Sequence, residues 1–296
     1  MPTDLRSSRA PALARLLGPL FVRLLAPALA LVVSACAGSD PVPVAPAPTS
    51  APAPTSSAPE TPPKDVVEVP ARIQAIVNAP DRLPEDRALD AGRQPADLLS
   101  FFGVTEGMKV AELGAGGGYT AELLARAVGP AGVVWGHNTP FILTRFAEKP
   151  WRARLERPVM KNVKRVDREF EDPLPADAKD LDAVFLVLFY HDLFWMKADR
   201  ARLNAGIFRA LEPGGLYGIV DHAAIKGAGV TQVESLHRIE EQVVIDDVQK
   251  AGFVLEKTGS FLREPDDTKD WSTSPGAAGD KRGTSDRFVL LFRKPR

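Results

Sequence analysis

The chain has 296 residues, and its 37 Lys and Arg against 38 Asp and Glu give a formal net charge of -1. This balance, with no Lys/Arg cluster in residues 66–296, gives no electrostatic footprint for nucleic acid and argues against nucleic-acid binding. The single cysteine, Cys36, excludes an intrachain disulfide and a cysteine-rich metal site. Length and a 45% apolar content are enough for one domain with a full hydrophobic core.

Residues 1–36 have the composition of an export signal. Four arginines precede an apolar run from Leu24 to Ala35, and this run is too short to span a bilayer comfortably. The run ends in Val-Ser-Ala-Cys36, which resembles the lipobox of bacterial lipoproteins; ordinary cleavage after Ala37 is the alternative. The resemblance implies an exported protein of the bacterial cell envelope, facing the periplasm and anchored to the membrane through a lipidated Cys36.

Residues 37–65 are almost entirely Ala, Pro, Ser, Thr and Val. Repeated prolines remove backbone donors and fix φ, so neither a helix nor a sheet can propagate through this segment. We therefore predict a disordered linker between the signal segment and a folded domain over residues 66–296.

The folded domain alternates predicted helices with predicted strands. The helices are expected at residues 71–77, 94–102, 120–128, 199–211 and 231–251. The strands are expected at residues 107–113, 132–135, 163–166, 181–189, 216–220, 253–258 and 287–292. This alternation predicts an α/β fold, a doubly wound, Rossmann-like, seven-stranded and mostly parallel sheet.

The stretch VAELGAGGGYT, residues 110–120, places a glycine cluster between the first strand and the helix after it. Such a loop faces a ligand with backbone donors and a helix N-terminus. A dinucleotide fingerprint requires a third glycine where Tyr119 stands. The glycines instead occupy positions 114, 116 and 118, and Glu112 lies two residues before the first of them.

This E-x-G-x-G-x-G pattern resembles motif I of the class I S-adenosylmethionine (SAM)-dependent methyltransferases. The resemblance extends from about Leu99 to Pro295 and includes the Leu-Glu-Pro-Gly-Gly215 turn and the terminal Asp286-Arg-Phe-Val-Leu290. It implies a last strand inserted antiparallel between strands five and six. It also implies SAM as cofactor, with Glu112 facing the positively charged amino-acid end. The implied loop contacts are Gly114, Ala115, Gly116, Gly118 and Tyr119.

The sequence departs from the family pattern after strand two. The family usually has an acid there for the ribose hydroxyls, whereas this chain has Trp-Gly-His-Asn138. Asn138 or His137 could bond a ribose, less strongly than a carboxylate would. After strand three, Asp167 and Glu169 are the candidates for the adenine amino group.

Three of the four histidines, His137, His191 and His222, follow the predicted strands two, four and five. Ligands bind along this edge of an open parallel sheet. We predict His191 as the general base, oriented by Asp192, with Tyr190 shaping the acceptor pocket, because histidine titrates near neutral pH. His222 is the second candidate. The alternative is that these histidines satisfy hydrogen bonds at strand ends without doing chemistry.

A metal is a competing interpretation. Asp192, Asp221 and His222, together with His191, are ligand types that divalent metals use. Their spacing in the sequence does not show that they converge, so the predicted site is assigned no metal. His237 is expected on a helix near the substrate side, with a core or surface role as the alternative. The polar segment 263–285 is long for a connection, and its Trp271 favours partial docking over the site.

The sequence therefore predicts a SAM-dependent methyltransferase acting on a small-molecule or envelope acceptor. Two alternatives remain: a tethered methyltransferase-like binding module, and a metal-dependent enzyme on the same scaffold. Because SAM is made in the cytoplasm, export leaves its supply unexplained. The sequence identifies neither the acceptor nor the oligomeric state.

Overall fold

The computed structural model describes residues 64–296. The predicted signal segment, the lipobox at Cys36 and almost all of the predicted linker lie outside the described residues. Asp65, at the end of the predicted linker, exchanges two hydrogen bonds with Ser260: its N–H donates to the hydroxyl (2.6 Å), and its carboxylate accepts the Ser260 N–H (2.8 Å). Within residues 64–296, no helix is long and apolar enough to cross a membrane.

The described chain alternates helices and strands. The helices are α1 Ala71–Val77, α2 Pro84–Arg93, α3 Pro95–Phe101, α4 Tyr119–Val128, α5 Pro140–Ile142, α6 Glu148–Leu155, α7 Asp192–Trp195, α8 Arg200–Ala210 and α9 Glu241–Lys250. The strands are β1 Lys109–Leu113, β2 Val133–Asn138, β3 Val163–Asp167, β4 Leu181–Val187, β5 Leu211–His222, β6 Val254–Gly259 and β7 Arg287–Arg293. A π-helical turn, Leu143–Ala147, joins α5 to α6.

The seven strands form one sheet in the order β3-β2-β1-β4-β5-β7-β6. Strand β7 pairs antiparallel with both β5 and β6, and every other pair is parallel. This confirms the predicted α/β class and the insertion of the last strand between strands five and six. The chain reverses its direction of travel across the sheet between β1 and β4, and ligands bind at such a switch point in doubly wound sheets.

The central strands are buried on both faces, as a parallel sheet requires. In β4 the residues Ala183, Val184, Phe185 and Leu186 are at most 1% exposed. Strand β1 is buried from Val110 to Leu113, so the glycine loop that follows it starts from a rigid support.

Three expectations were wrong in detail. The predicted helix at residues 231–251 exists only as α9, because the chain before Glu241 is held by a parallel bridge between Ala223 and Ile239. Strand β2 continues to Asn138, so His137 lies inside the sheet and not beyond it. Strand β5 begins at Leu211, and its pairing with β4 shifts register after that residue. The sequence analysis also missed α2, α5, α6 and α7.

Candidate functional site

The glycine loop lies at the carboxyl end of β1, beside the switch point. Gly114, Gly116 and Gly118 all adopt left-handed backbone conformations, with φ of 69°, 55° and 85°. These values favour glycine, since a side chain there costs about 1–2 kcal/mol.

The three glycines differ in what surrounds them. A Cβ at Gly114 would lie 2.9 Å from the Phe189 ring, and one at Gly118 would lie 2.4 Å from Trp151. A Cβ at Gly116 would meet no atom within 4 Å. Gly114 and Gly118 are therefore needed for packing, whereas Gly116 faces open space where a ligand can approach the backbone.

His137 and Asn138 hold this loop from β2. Asn138 accepts the Gly116 N–H (2.8 Å) and donates to the Gly116 carbonyl (3.1 Å). His137 Nδ1 accepts the Gly114 N–H (3.4 Å), so Nε2 carries the proton and donates to the Arg168 carbonyl (2.9 Å). Both side chains are fully buried, and burial lowers the pKa of His137 to about 4. The ribose contact predicted for either one stays a prediction, but here their polar groups hold the loop.

Glu112, at the end of β1, is buried, and its Oε2 has no hydrogen-bond partner among the described residues. Burial raises the pKa of its carboxyl to about 8, although Thr120 and the charge of Arg93 act in the opposite direction. Burial also lowers the pKa of the Arg93 guanidinium, which lies 4.4 Å from the centre of the Tyr119 ring. The Glu112 carboxyl, one oxygen of which lacks a partner, and the Arg93 guanidinium thus lie behind the loop.

The other predicted cofactor contacts have neighbours of their own. The Ala115 N–H donates to the His137 carbonyl (2.8 Å), and the Tyr119 hydroxyl donates to Asp90 (2.6 Å). Asp167 is exposed and bonded to Arg165 (2.9 Å), and Glu169 is also exposed. The structure brings neither of these two acids to the glycine loop, and their predicted role toward adenine stays a prediction.

A second polar cluster lies at the carboxyl ends of β4 and β5. His191 Nδ1 donates to Asp221 Oδ1 (2.7 Å), and the His191 N–H donates to the other oxygen of that carboxylate (2.7 Å). Three further atoms form a triangle: His191 Nε2 lies 3.2 Å from His237 Nδ1 and 3.1 Å from Asp192 Oδ1, and the last two atoms are 3.2 Å apart. The helix expected to carry His237 near the substrate side does not form, and the structure instead brings this side chain to His191 and Asp192 from a non-helical segment.

The carboxylates of this cluster keep a proton on His191. Burial lowers the pKa of His191, but the carboxylates of Asp221 and Asp192 outweigh burial and raise it to about 10. Burial also raises the pKa of Asp192, but the two histidines hold it below its usual range. His191 is therefore protonated at neutral pH in this arrangement and cannot accept a proton, so the predicted role as general base stays a prediction without support from this state.

The two remaining predicted catalytic residues have different surroundings. His222 bonds to the Ser285 hydroxyl through Nδ1 (2.8 Å), and its ring centre is 5.8 Å from that of His191. Burial lowers the pKa of His222, so this imidazole is neutral. Tyr190 is fully buried, and its hydroxyl accepts from Asn204 (3.0 Å). Its ring packs in the core, and the predicted role of Tyr190 in shaping the acceptor pocket stays a prediction.

The segment 263–285 is docked onto the chain that carries His237. Arg238 and Asp267 form an ion pair at 2.7 Å, and both side chains are completely buried. The Arg238 guanidinium lies 4.8 Å from the Trp271 ring centre, and the Trp271 indole N–H donates to Asp267 (2.8 Å). Trp271 is thus docked against Arg238, and its predicted position over the site stays a prediction.

An aromatic group borders the cluster on its exposed side. Phe141 makes edge-to-face contacts with Phe146 and with Trp195, at ring-centre distances of 6.1 and 6.2 Å. The side chain of Phe146 is 71% exposed, and the Trp195 indole N–H donates to Asp192 (2.5 Å). An apolar surface therefore begins where the polar cluster ends.

The comparison with protein families matches one part of the described chain and not the other. The family model for protein-L-isoaspartate(D-aspartate) O-methyltransferase matches residues 60–166. This range contains the glycine loop, β1 and β2, but not the histidine cluster, which lies in the other half of the sheet. No curated protein matches the chain significantly.

Solved structures match over a longer range. A chain in the complex of the Haloferax volcanii Trm112 methyltransferase activator with a methyltransferase is 18% identical, with a TM-score of 0.50; the match covers 77% of this chain and all of that one. The fold is that of the methyltransferases. A SAM-dependent methyltransferase from Aquifex aeolicus is 19% identical with a TM-score of 0.49, and 75% of this chain and 98% of that one are covered.

The sequence analysis missed Arg93 and did not predict the contact between His237 and His191. Arg93 lies on α2, which was not predicted, although Pro84 followed by Glu85 and Asp86 is a common helix start. His237 meets His191 across 46 residues, and no local pattern signals such a contact.

Proposed function

We propose that this protein is a SAM-dependent methyltransferase. The observation that carries the proposal is the open space in front of Gly116, at a left-handed backbone position beside the switch point of the sheet. Because packing does not fill the space in front of Gly116, a ligand can approach the main chain there.

The polar groups behind the loop fit the amino-acid end of SAM. That end carries an ammonium and a carboxylate, and the chain offers the unpartnered Oε2 of Glu112 for the first and the Arg93 guanidinium for the second. His137 and Asn138 would keep the loop in its binding conformation. SAM, when bound, supplies the activated methyl group, so the protein mainly has to align an acceptor.

The acceptor is proposed to bind over the ends of β4 and β5. The histidine cluster lies there, one strand away from the glycine loop, with Phe141, Phe146 and Trp195 beside it. This combination favours a small molecule with an apolar part and a group that can be polarised or deprotonated. His222 is neutral in this arrangement, but burial lowers its pKa and so weakens it as a base for the acceptor.

Replacing Gly116 by arginine tests the cofactor. We expect the full-length protein to bind SAM and S-adenosylhomocysteine in calorimetric titration, and Gly116→Arg to weaken both by about 100-fold or more, because the new side chain occupies the open space.

Gly103→Arg is the matched control. Gly103 also has a positive φ (67°), with no atom within 4 Å of a Cβ, but it lies in the turn after α3 and outside the loop. Both variants place arginine at a glycine position with left-handed backbone. A difference in SAM affinity therefore reports on the open space in front of Gly116. If the folded wild-type protein binds neither compound, the proposed function is wrong.

The lipobox extends the proposal to location: the enzyme would be tethered to the bacterial envelope through a lipidated Cys36. Thiol lipidation requires the cysteine sulfur, so Cys36→Ser is expected to move the protein from the membrane fraction to the soluble fraction. Metabolic labelling with a fatty acid is the direct measurement. If wild type and Cys36→Ser fractionate alike and neither takes up label, the lipid anchor is excluded.

A further inference from the structure

We infer that His191, Asp192 and His237 form a binding site for one divalent transition-metal ion. The three ligand atoms are His191 Nε2, His237 Nδ1 and Asp192 Oδ1, at mutual distances of 3.1–3.2 Å. This inference concerns the β4–β5 end of the sheet and does not depend on SAM binding.

The size of the triangle suits a metal. Zinc and similar ions bind imidazole nitrogen and carboxylate oxygen at about 2.0–2.2 Å, so adjacent ligand atoms lie about 3.0 Å apart at octahedral angles and about 3.4 Å apart at tetrahedral angles. The observed separations fall between these two values. An ion about 1 Å above the plane of the three atoms would contact all of them at bonding distance.

The surroundings orient the ligands as metal sites require. His191 donates its other ring nitrogen to Asp221, whose second oxygen accepts the His191 main-chain N–H. The Trp195 indole bonds the same oxygen of Asp192 that completes the triangle. Such outer contacts fix the tautomer and the orientation of metal-binding side chains.

The backbone supports this interpretation independently. His237 has a φ of 52°, and Leu188, three residues before His191, has a φ of 57°. Left-handed conformations are costly for such residues and persist where the surrounding structure enforces them, often at functional sites. The main chain at His237 is enforced by Thr273, which donates to its carbonyl (2.8 Å). Strained backbone thus brings two histidines together from segments distant in sequence.

The ligand set selects the class of ion. Two imidazoles and one carboxylate favour zinc, iron, nickel or copper over magnesium or calcium, which prefer oxygen ligands. Three protein ligands leave coordination positions open, as in catalytic metal sites, so the ion could hold water or a substrate heteroatom. The site differs from the metal alternative considered in the sequence analysis: Asp221 supports a ligand and His222 bonds to Ser285, while His237 is the new member.

The test is titration of the chelator-treated, full-length protein with ZnCl₂ and separately with MgCl₂, followed by calorimetry. We expect one zinc ion per chain with micromolar or tighter affinity, and no magnesium binding. His237→Asn and Asp192→Asn should each weaken zinc binding by about 100-fold, because each removes one of three ligands. Asparagine tolerates the left-handed conformation of residue 237, so that variant is expected to fold.

His222→Ala is the matched control, since His222 is the neighbouring histidine outside the triangle. It should keep wild-type zinc affinity, and the visible spectrum of the Co²⁺-loaded protein should change in His237→Asn but not in His222→Ala. Cys36 is common to all variants and cannot produce a difference between them. No zinc binding by the wild type, or equal affinity in wild type, His237→Asn and Asp192→Asn, would overturn the inference.

Discussion

Replacing Arg238 by methionine is expected to lower the free energy of unfolding by about 3–5 kcal/mol. The guanidinium is completely buried and bonds Asp267, the Ala223 carbonyl (3.1 Å) and the Trp271 carbonyl (3.2 Å). Methionine fills much of the volume but leaves the Asp267 carboxylate buried without its counter-charge. The loss is therefore dominated by the cost of an unpaired buried charge, and urea unfolding measures it.

An exposed ion pair is the control. Lys164 and Asp177 lie 2.8 Å apart, with half or more of each side chain exposed, so Lys164→Met should cost at most about 1 kcal/mol. Because Arg238 also docks the 263–285 segment beside His237, Arg238→Met should weaken zinc binding as well. Equal unfolding midpoints for the two variants would show that the buried pair contributes little and that the segment is held by other contacts.

Replacing Glu112 by glutamine is expected to stabilise the protein at alkaline pH while weakening its binding of SAM. Burial raises the folded-state pKa of this carboxyl from 4.5 to about 8. Below the unfolded pKa both states are protonated, and its stability contribution is full; as pH rises toward 8, the unfolded state releases the proton first, so the free energy of unfolding falls. Above the folded pKa the loss levels off.

Glutamine keeps the shape of the side chain and cannot ionise. The free energy of unfolding of the variant should therefore not show this fall as the pH rises toward 8. The expected gain over wild type is small near pH 4.5 and reaches about 5 kcal/mol above pH 8. Above pH 8, where the wild-type carboxyl is ionised, SAM affinity should fall by about tenfold, because a neutral amide attracts the ammonium group less than a carboxylate does. Thermal unfolding at both pH values and calorimetry with SAM are the measurements.

Glu106→Gln is the comparison variant, since Glu106 is exposed in the turn before β1. It should reproduce the pH dependence of the wild type. If Glu112→Gln is destabilised equally at acid and alkaline pH, the carboxyl has a structural role as a hydrogen-bond acceptor, and its assignment to the amino-acid end of SAM loses its electrostatic basis.

The strand pattern is where sequence reasoning was strongest. The apolar run at residues 181–189 predicted β4 correctly, because a strand buried on both faces must be apolar throughout. The glycines at 114, 116 and 118 predicted a loop between the first strand and the helix after it, and the structure has that loop, with left-handed backbone at all three. These are local requirements, so the local sequence expresses them directly.

The helix predicted before Glu241 shows where this reasoning fails. Apolar spacing in residues 231–240 is compatible with a helix, but Arg238 pairs with Asp267 and Glu240 accepts the N–H groups of Gly227 and Gly229 (3.0 and 2.8 Å). Contacts from outside the segment outweigh its local preference, since intrinsic helix propensity amounts to less than about 1 kcal/mol per residue.

The sequence by itself determined the sheet and the position of the glycine loop, because periodicity and glycine act over a few neighbouring residues. The export signal is predicted from composition alone. The tertiary structure alone decided what each polar side chain does. It turned His137 and Asn138 into supports of the loop and placed Gly116 against open space. It also joined His237 to His191 and Asp192, since the convergence of distant side chains depends on how the whole chain packs.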